Sequence, residues 1–375
     1  MKVLHICSNY VSSKIFPNLL YSLNKISSSN FLFCPVLRGG EKKKNTYLDE
    51  DDNVFKENAE YAIISDCFTA VDRFLFFSKR EKIRKTIEKE IALNDFEKIM
   101  AHSLFTDGWV AFKLSRKYQI KYSVFVQNTD INIFFKIPGL RWFGKRILMA
   151  ATNIVFASNA VKRYVFDKII SKNNAKLESK TTVVPFAIED IFFKKQPQRK
   201  ELSGNGTIKV ITVATIDKNK NQICIVKALN ELKQLGNKVE LALVGKIVQK
   251  ECLDRLLGYE FVRYIGVKTY AEIIELYKQY DIMALLSRRE TFGLVYAEAM
   301  SQGLPVIYSA GQGFDGQFND GDIGFAVDSE NSHELAERLI EVIKNYSQFS
   351  NSALIASKRF CWDKVAEQYD KILRG

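Results

Sequence analysis

Short apolar runs recur along the chain, each followed by a turn and then by a segment with helical spacing. Runs at 3–7, 98–101, 122–126, 153–158 and 182–185 mark the first half, and runs at 208–214, 240–245, 261–267, 282–286 and 305–308 mark the second. Continuous apolar runs of this length read as strands buried on both faces, which is the habit of parallel sheets. Helical patterns fall at about 15–24, 73–92, 107–117, up to 235 after Gln222, 294–302 and 363–373. Strand–helix alternation in both halves predicts an α/β chain of two doubly wound domains facing a cleft. The first is expected over 1–195 and the second over 208–358, with a last piece at 359–375. Between the domains, 193–207 is polar with Pro and Gly and reads as a linker. Residues 39–60 read as an exposed connection of mixed charge.

One strand–loop–helix–strand unit carries the chemistry. The run at 282–286 leads into a loop with Glu290 and Gly293, then the helix at 294–302 and the strand at 305–308. Ligands collect at the carboxyl ends of such strands. Gly293, with no Cβ, lets a ligand approach the backbone. The amides of Phe292, Gly293 and Leu294 are unsatisfied donors at a helix start, where the dipole favours an anion. Glu290 and Glu298, with seven residues between them, suit a polyhydroxyl group. A phosphate on the amides and hydroxyls on the glutamates describe a nucleotide sugar. The plainer alternative is that the glutamates only cap the helix and balance its dipole.

The segment from Glu290 to Pro305 contains Phe-Gly-Leu and runs into Ala-Met-Ser-Gln-Gly-Leu-Pro-Val. It resembles the donor-site signature of family 4 retaining glycosyltransferases, which have the GT-B fold of two Rossmann-like domains. The resemblance is loose over 1–200 and close over 208–375. It implies metal-independent transfer of a sugar, with retained configuration, from a nucleoside diphosphate to a hydroxyl. No cofactor is implied. The expected donor is a UDP-sugar, and the expected acceptor is a saccharide or lipid-linked saccharide of bacterial surface polysaccharide or glycan assembly. By position, Lys220 faces the diphosphate, while Thr215 stands where the family usually has arginine. Lys218, Arg288 and Arg289 are the candidates to replace that arginine. Thr291 belongs to the donor loop, and Val267 marks the seat of the nucleobase. Ser12 and Ser13 occupy a loop where the family often has a glycine pair. Gln127 ends a strand where a histidine is frequent, and His102 matches a second cleft histidine. The resemblance thus gives Glu290, Lys220 and His102 as catalytic candidates and Ser12, Ser13 and Gln127 as acceptor-side candidates. It also implies that the tail at 359–375 crosses back onto the first domain. With no clear covalent nucleophile, attack is expected on the face that the diphosphate leaves. The departures at 12, 13, 127 and 215 keep a non-catalytic nucleotide-sugar-binding subunit in view. A phosphorylase or an epimerase on the same fold is a further alternative.

Composition narrows the setting. The 375 residues are 47% hydrophobic and 26% charged, ordinary for a globular protein of two domains. The six cysteines are scattered without a C-x-x-C pair, as in a reduced compartment. Residues 1–10 read as a strand and not a secretory leader, and no apolar run reaches 18 residues. The expectation is a cytoplasmic protein, peripheral on the inner face of the membrane. Net charge is +12, but residues 1–200 hold 34 Lys and Arg against 20 Asp and Glu, and residues 201–375 hold 21 against 23. An anionic partner is therefore expected on the first half. At 133–148 aromatics interleave with bases, so that Arg141, Trp142, Lys145 and Arg146 suit an anionic membrane surface. A core helix with snorkelling bases is the alternative. Nucleic acid is the least supported partner, since no nucleic-acid fold is recognisable elsewhere. Gly311-Gln312-Gly313-Phe314-Asp315-Gly316 matches G-x-G-x-x-G but lacks a following helix. Asp320-Gly321-Asp322 matches a D-x-D metal grip but reads as a solvated turn, so no metal is expected.

Overall fold

The computed structural model describes residues 1–26, 29–38, 61–170, 174–197, 200–202 and 206–375. The expected connection at 39–60 lies outside them. Two units are present: Met1–Ala157 with Lys162–Pro185 and Trp362–Gly375, and Ser158–Val161 with Phe186–Cys361.

The first unit is a seven-stranded parallel sheet: β1 (Val3–Ile6), β2 (Asn30–Leu37), β3 (Ala62–Phe68), β4 (Lys98–Ala101), β5 (Lys121–Val126), β6 (Asn153–Phe156) and β7 (Thr181–Val183). The strand order is β3-β2-β1-β4-β5-β6-β7. The second unit has six parallel strands: β8 (Thr207–Val213), β9 (Lys238–Val244), β10 (Val262–Gly266), β11 (Ile282–Leu285), β12 (Val306–Ser309) and β13 (Gly324–Val327). Their order is β10-β9-β8-β11-β12-β13. Both sheets therefore follow the Rossmann order 3-2-1-4-5-6, in which the winding reverses between the first and fourth strands. The reversal falls between β1 and β4 in one unit and between β8 and β11 in the other. Every residue of β1, β4, β11 and β12 is buried, which accounts for their continuous apolar runs.

The tail belongs to the first unit. Helix Trp362–Arg374 buries Trp362, Val365, Ala366, Tyr369, Ile372 and Leu373 along one face and packs on helix Ile15–Ile26. Lys98, buried at the start of β4, donates to the carbonyls of Ile372 (2.8 Å) and Leu373 (3.1 Å) and so caps the helix's negative end. The presumed linker is partly built into the second unit. Helix Ile191–Lys194 takes its first residues, Thr207 opens β8, and Lys200 is buried against the carbonyls of Tyr277 (2.8 Å) and Lys278 (2.9 Å). Among the described residues, no helix is long and apolar enough to cross a membrane.

Candidate functional site

At the reversal point of the second sheet, the loops leaving β8 and β11 are laced together. Asp217 folds the first loop on itself, accepting from the Thr215 hydroxyl (2.7 Å) and from the amides of Asn219 (2.8 Å) and Lys220 (3.0 Å). Asn219 then binds the second loop. Its side-chain amide donates to the Arg289 carbonyl (3.0 Å), its side-chain oxygen accepts from the Arg289 amide (3.1 Å), and its backbone carbonyl accepts from the Arg288 amide (2.8 Å). So held, Lys220 Nζ lies 2.7 Å from Glu290 Oε2, with the two side chains 20% and 14% exposed. Ser287 Oγ also donates to Glu290 Oε2, at 3.2 Å, and the Thr291 amide to Oε1, at 3.1 Å.

The loop after β12 supports Glu290 from a third side. Gln312 Oε1 accepts from the Glu290 amide, and the Gly313 amide donates to the Glu290 carbonyl, both at 3.1 Å. A Cβ on Gly313 would lie 2.3 Å from the Thr291 carbonyl carbon, so only glycine lets these backbones touch. That is the purpose of the G-x-G pattern here; Phe314 beyond it is core. Phe292 is 1% exposed, ringed by Phe186, Phe314 and Phe360, and pins the Glu290 loop. Gly293 is the left-handed N-cap (φ +85°) of helix Leu294–Ser301, and a Cβ there would strike the Tyr296 ring. Among the described residues, no hydrogen-bond partner faces the amides of Phe292, Gly293 and Leu294.

Glu298 lies on the buried side of that helix, 6% exposed. Burial, reinforced by the charge of Glu189, pushes its carboxyl up to about 8. Val267 is 69% exposed just past β10. Of the proposed arginine substitutes, Arg288 is turned to Glu330 (2.7 Å) and the Lys218 carbonyl (2.6 Å), whereas Arg289 is exposed and makes no ion pair among the described residues. A cavity of about 310 Å3 adjoins the back of these loops, lined by Asp217, Lys218, Cys224, Arg255, Arg288 and Glu330 among others. Of the donor-side candidates it takes Lys218 and Arg288, and Lys220, Glu290 and Glu298 do not line it. Asp320 and Asp322 accept from the amides of Ala326 (2.8 Å) and Asn319 (3.1 Å), as turn residues do.

The first unit's candidates gather at its own reversal point. His102, directly after β4, is 2% exposed. His5 Nε2 donates to Asn30 Oδ1 (3.1 Å), which leaves His5 Nδ1 to accept from His102 Nε2 (3.0 Å). Burial lowers His5 to about 4 and His102 well below its ordinary value, so both are neutral at pH 7. His102 Nδ1 has no partner among the described residues. Gln127 donates to the His102 carbonyl (2.5 Å) and accepts from Asn9 (2.8 Å). The Ser12 hydroxyl donates to the Asn9 carbonyl (2.9 Å), and Ser13 Oγ accepts from the Ile15 amide (3.3 Å). Residues that the sequence did not single out organise this edge. Asp107 accepts from the Ser8 amide and from the hydroxyls of Ser8 and Ser103. Asp130 accepts from the amides of Leu104, Phe105 and Gln127. Burial pushes both carboxyls up to about 6, and the buried Arg80 guanidinium nearby offsets them. Arg141, Trp142 and Arg146 are exposed on helix Leu140–Ala150, and Lys145 is half-buried.

Comparison with known proteins bears on the fold and on the kind of protein. Residues 193–358 match the family described as Glycosyl transferases group 1. The D-inositol 3-phosphate glycosyltransferase of Corynebacterium aurimucosum is 32% identical over 124 residues, which is 32% of this chain and 30% of that protein. The alpha-monoglucosyldiacylglycerol synthase of Acholeplasma laidlawii is 25% identical over 224 residues, 56% of this chain and 55% of the relative. The matched stretches thus span about a third to a half of these relatives. In structure, the Anabaena protein Alr3699/HepE in complex with UDP and glucose superposes with a TM-score of 0.66 at 18% identity, covering 100% of both chains. The chain has the GT-B architecture of two Rossmann-like domains.

Proposed function

We propose that this protein is a glycosyltransferase that moves a sugar from a nucleoside diphosphate sugar to a hydroxyl of a saccharide or lipid-linked acceptor. The observation that carries the reading is the Lys220–Glu290 pair, held by Asn219 and Ser287 beside a helix mouth with unpartnered amides. As the bond to the anomeric carbon breaks, negative charge gathers on the leaving diphosphate. Lys220 and the amides at 292–294 stabilise that charge without a metal ion, and removing one such donor costs about 3 kcal/mol. Glu290 releases part of its hold on Lys220 to the sugar hydroxyls, and Glu298 takes the ribose hydroxyls. Arg289, the uncommitted cation of the loop, takes the place of the arginine missing at 215. The acceptor attacks the face that the diphosphate leaves, and a diphosphate oxygen receives its proton, so configuration is retained. His102, neutral and buried, shuttles no proton; it holds Gln127 through its carbonyl at the acceptor side.

The similarity to a group 1 glycosyltransferase family, to a glycolipid synthase and to a UDP-bound structure supports a UDP-sugar donor and a lipid-side acceptor. The setting consistent with the basic first half is the cytoplasmic face of a membrane. A thermal-shift panel of nucleotide sugars, followed by release of free nucleotide with a lipid extract as acceptor source, tests the reading. A rise in melting temperature with one nucleotide sugar, then acceptor-dependent release, is expected. No shift with any of them sinks the proposal. Thr215 in place of arginine favours one rival, a non-catalytic nucleotide-sugar-binding subunit, which would show the shift and no release.

A further inference from the structure

Among the described residues, the first domain carries an apolar face that nothing covers. Residues 71–77 and 133–143 are far apart in the chain, yet their rings meet. Phe76 lies 5.0 Å from Phe77 and 5.9 Å from Phe134; Phe77 lies 5.3 Å from Phe143, which lies 5.0 Å from Trp142. Outward from this ladder, Phe74 is 90% exposed, Leu75 53% and Trp142 55%, and Ile133 and Ile137 are exposed too. Packing explains only the other side of helix Leu140–Ala150, where Leu140, Gly144, Ile147 and Leu148 are buried. Contiguous exposed apolar groups of this size mark an interaction surface.

The surrounding charge has one sign. Residues 133–149 contain Lys136, Arg141, Lys145 and Arg146 and no acid. The acid within 71–80, Asp72, is buried and pairs with Lys82 at 2.8 Å. The Arg146 guanidinium lies 4.5 Å from the centre of the Trp142 ring. A surface rich in both aliphatic and aromatic wedges and in bases that make no ion pair among the described residues complements a layer that is apolar within and anionic at its rim.

We infer that this face docks into the surface of an anionic lipid bilayer. Phe74 and Leu75 form the inserted wedge, Trp142 sits at the headgroups, and Lys136, Arg141, Lys145 and Arg146 meet the lipid phosphates. The wedge at 74–75 extends the membrane-surface candidates of helix Leu140–Ala150 to a second segment. The inference gives the proposed lipid-side acceptor a place, and it does not depend on the donor site.

Sedimentation of the full chain with vesicles tests it, using phosphatidylcholine alone and phosphatidylcholine mixed with phosphatidylglycerol. Partitioning onto the mixed vesicles is expected, weakened about tenfold by Phe74→Ser with Leu75→Ser and similarly by Arg141→Gln, Lys145→Gln and Arg146→Gln together. Lys238→Gln with Lys250→Gln, on the second domain, should leave it unchanged. Trp109 and Trp362 are buried, so brominated lipids should quench the emission of the wild type and not that of Trp142→Phe. Glu298→Gln should sediment like the wild type even where it loses the donor, which keeps failure here apart from failure of the glycosyltransferase reading. Equal binding to neutral vesicles, absence of quenching, or indifference to the Phe74 and Leu75 substitutions would overturn the inference. So would self-association without lipid that those substitutions abolish, which would assign the face to a second copy.

Discussion

The two sheets reverse their winding in the same strand order, yet the two reversal points use their polar groups differently. At the first, the charged groups are satisfied by their neighbours, and His102 Nδ1 is the buried atom left without a partner among the described residues. Asp107 is occupied by Ser8 and Ser103, Asp130 by three amides, and Arg80 by the carbonyls of Phe76 and Phe105. At the second, the network stops short. Lys220 and Glu290 face each other with side chains 20% and 14% exposed, three amides lack acceptors among the described residues, and Glu298 is buried with a raised pKa. A buried polar group that is fully hydrogen-bonded maintains the fold, whereas one left short costs stability until something else satisfies it. The difference between the charged groups of the two edges supports the proposal that the second edge takes the donor.

The largest expected effect breaks that contrast at Glu298. Glu298→Gln should weaken binding of the nucleotide sugar that the thermal-shift panel identifies by roughly a hundredfold at about pH 9, where the carboxyl is ionised, measured by calorimetry, as expected for losing a charged hydrogen-bond acceptor. The same change should raise the melting temperature. The folded-state pKa is raised to about 8, so ionisation favours the unfolded chain from its ordinary value of 4.5 upward. The gain should therefore be small at pH 5 and several degrees at pH 8. Tighter donor binding, or no pH dependence of the gain, would show that Glu298 is an ordinary core residue. Next, Glu290→Ala and Lys220→Ala should each lower kcat by about 10²-fold or more, with the donor Kd of Glu290→Ala within roughly threefold of the wild type. Normal turnover in both would remove the site.

The first edge predicts the reverse pattern. Asp107→Ala leaves the Ser8 amide without its acceptor and should cost about 1–3 kcal/mol in urea unfolding while the donor Kd stays unchanged. A donor affinity that fell in step would mean that the first edge also serves the ligand. Smallest of all is Arg288→Ala. Its ion pair with Glu330 is exposed, so stability and turnover should both stay within about twofold of the wild type. A large loss would mean that Arg288, and not Arg289, stands in for the arginine absent at 215.

Much of this was readable in the residues. Buried parallel strands announce themselves as unbroken apolar runs, so β1, β4, β8, β11 and β12 fell where the pattern put them. β2 carries an unbroken apolar run at 31–37 that was not assigned to a strand, and β3 and β13 carry weaker signals. β3 mixes half-buried and exposed positions, and β13 is four residues carrying glycine and alanine, so neither gives a clean period. Gly293 and Glu290 were legible because their neighbours in the chain explain them. Asn219, Gln312 and Gly313 were not, because each acts on a loop far away in sequence. Gly313 is the clearest instance: its G-x-G spacing matches a nucleotide fingerprint that lacks the helix such a fingerprint needs, and the fold uses it to bring two backbones into contact.

The sequence by itself determined two doubly wound α/β domains and the presence of a strand, a glutamate loop and a helix start in tandem, because burial and helix-terminal chemistry are local properties. Only the tertiary structure decided which cation meets Glu290, which arginine is already taken, that the histidines are neutral and enclosed, and that two distant aromatic segments form one surface. Those outcomes depend on distances across the sheet edge, and the order of residues along a chain does not contain them.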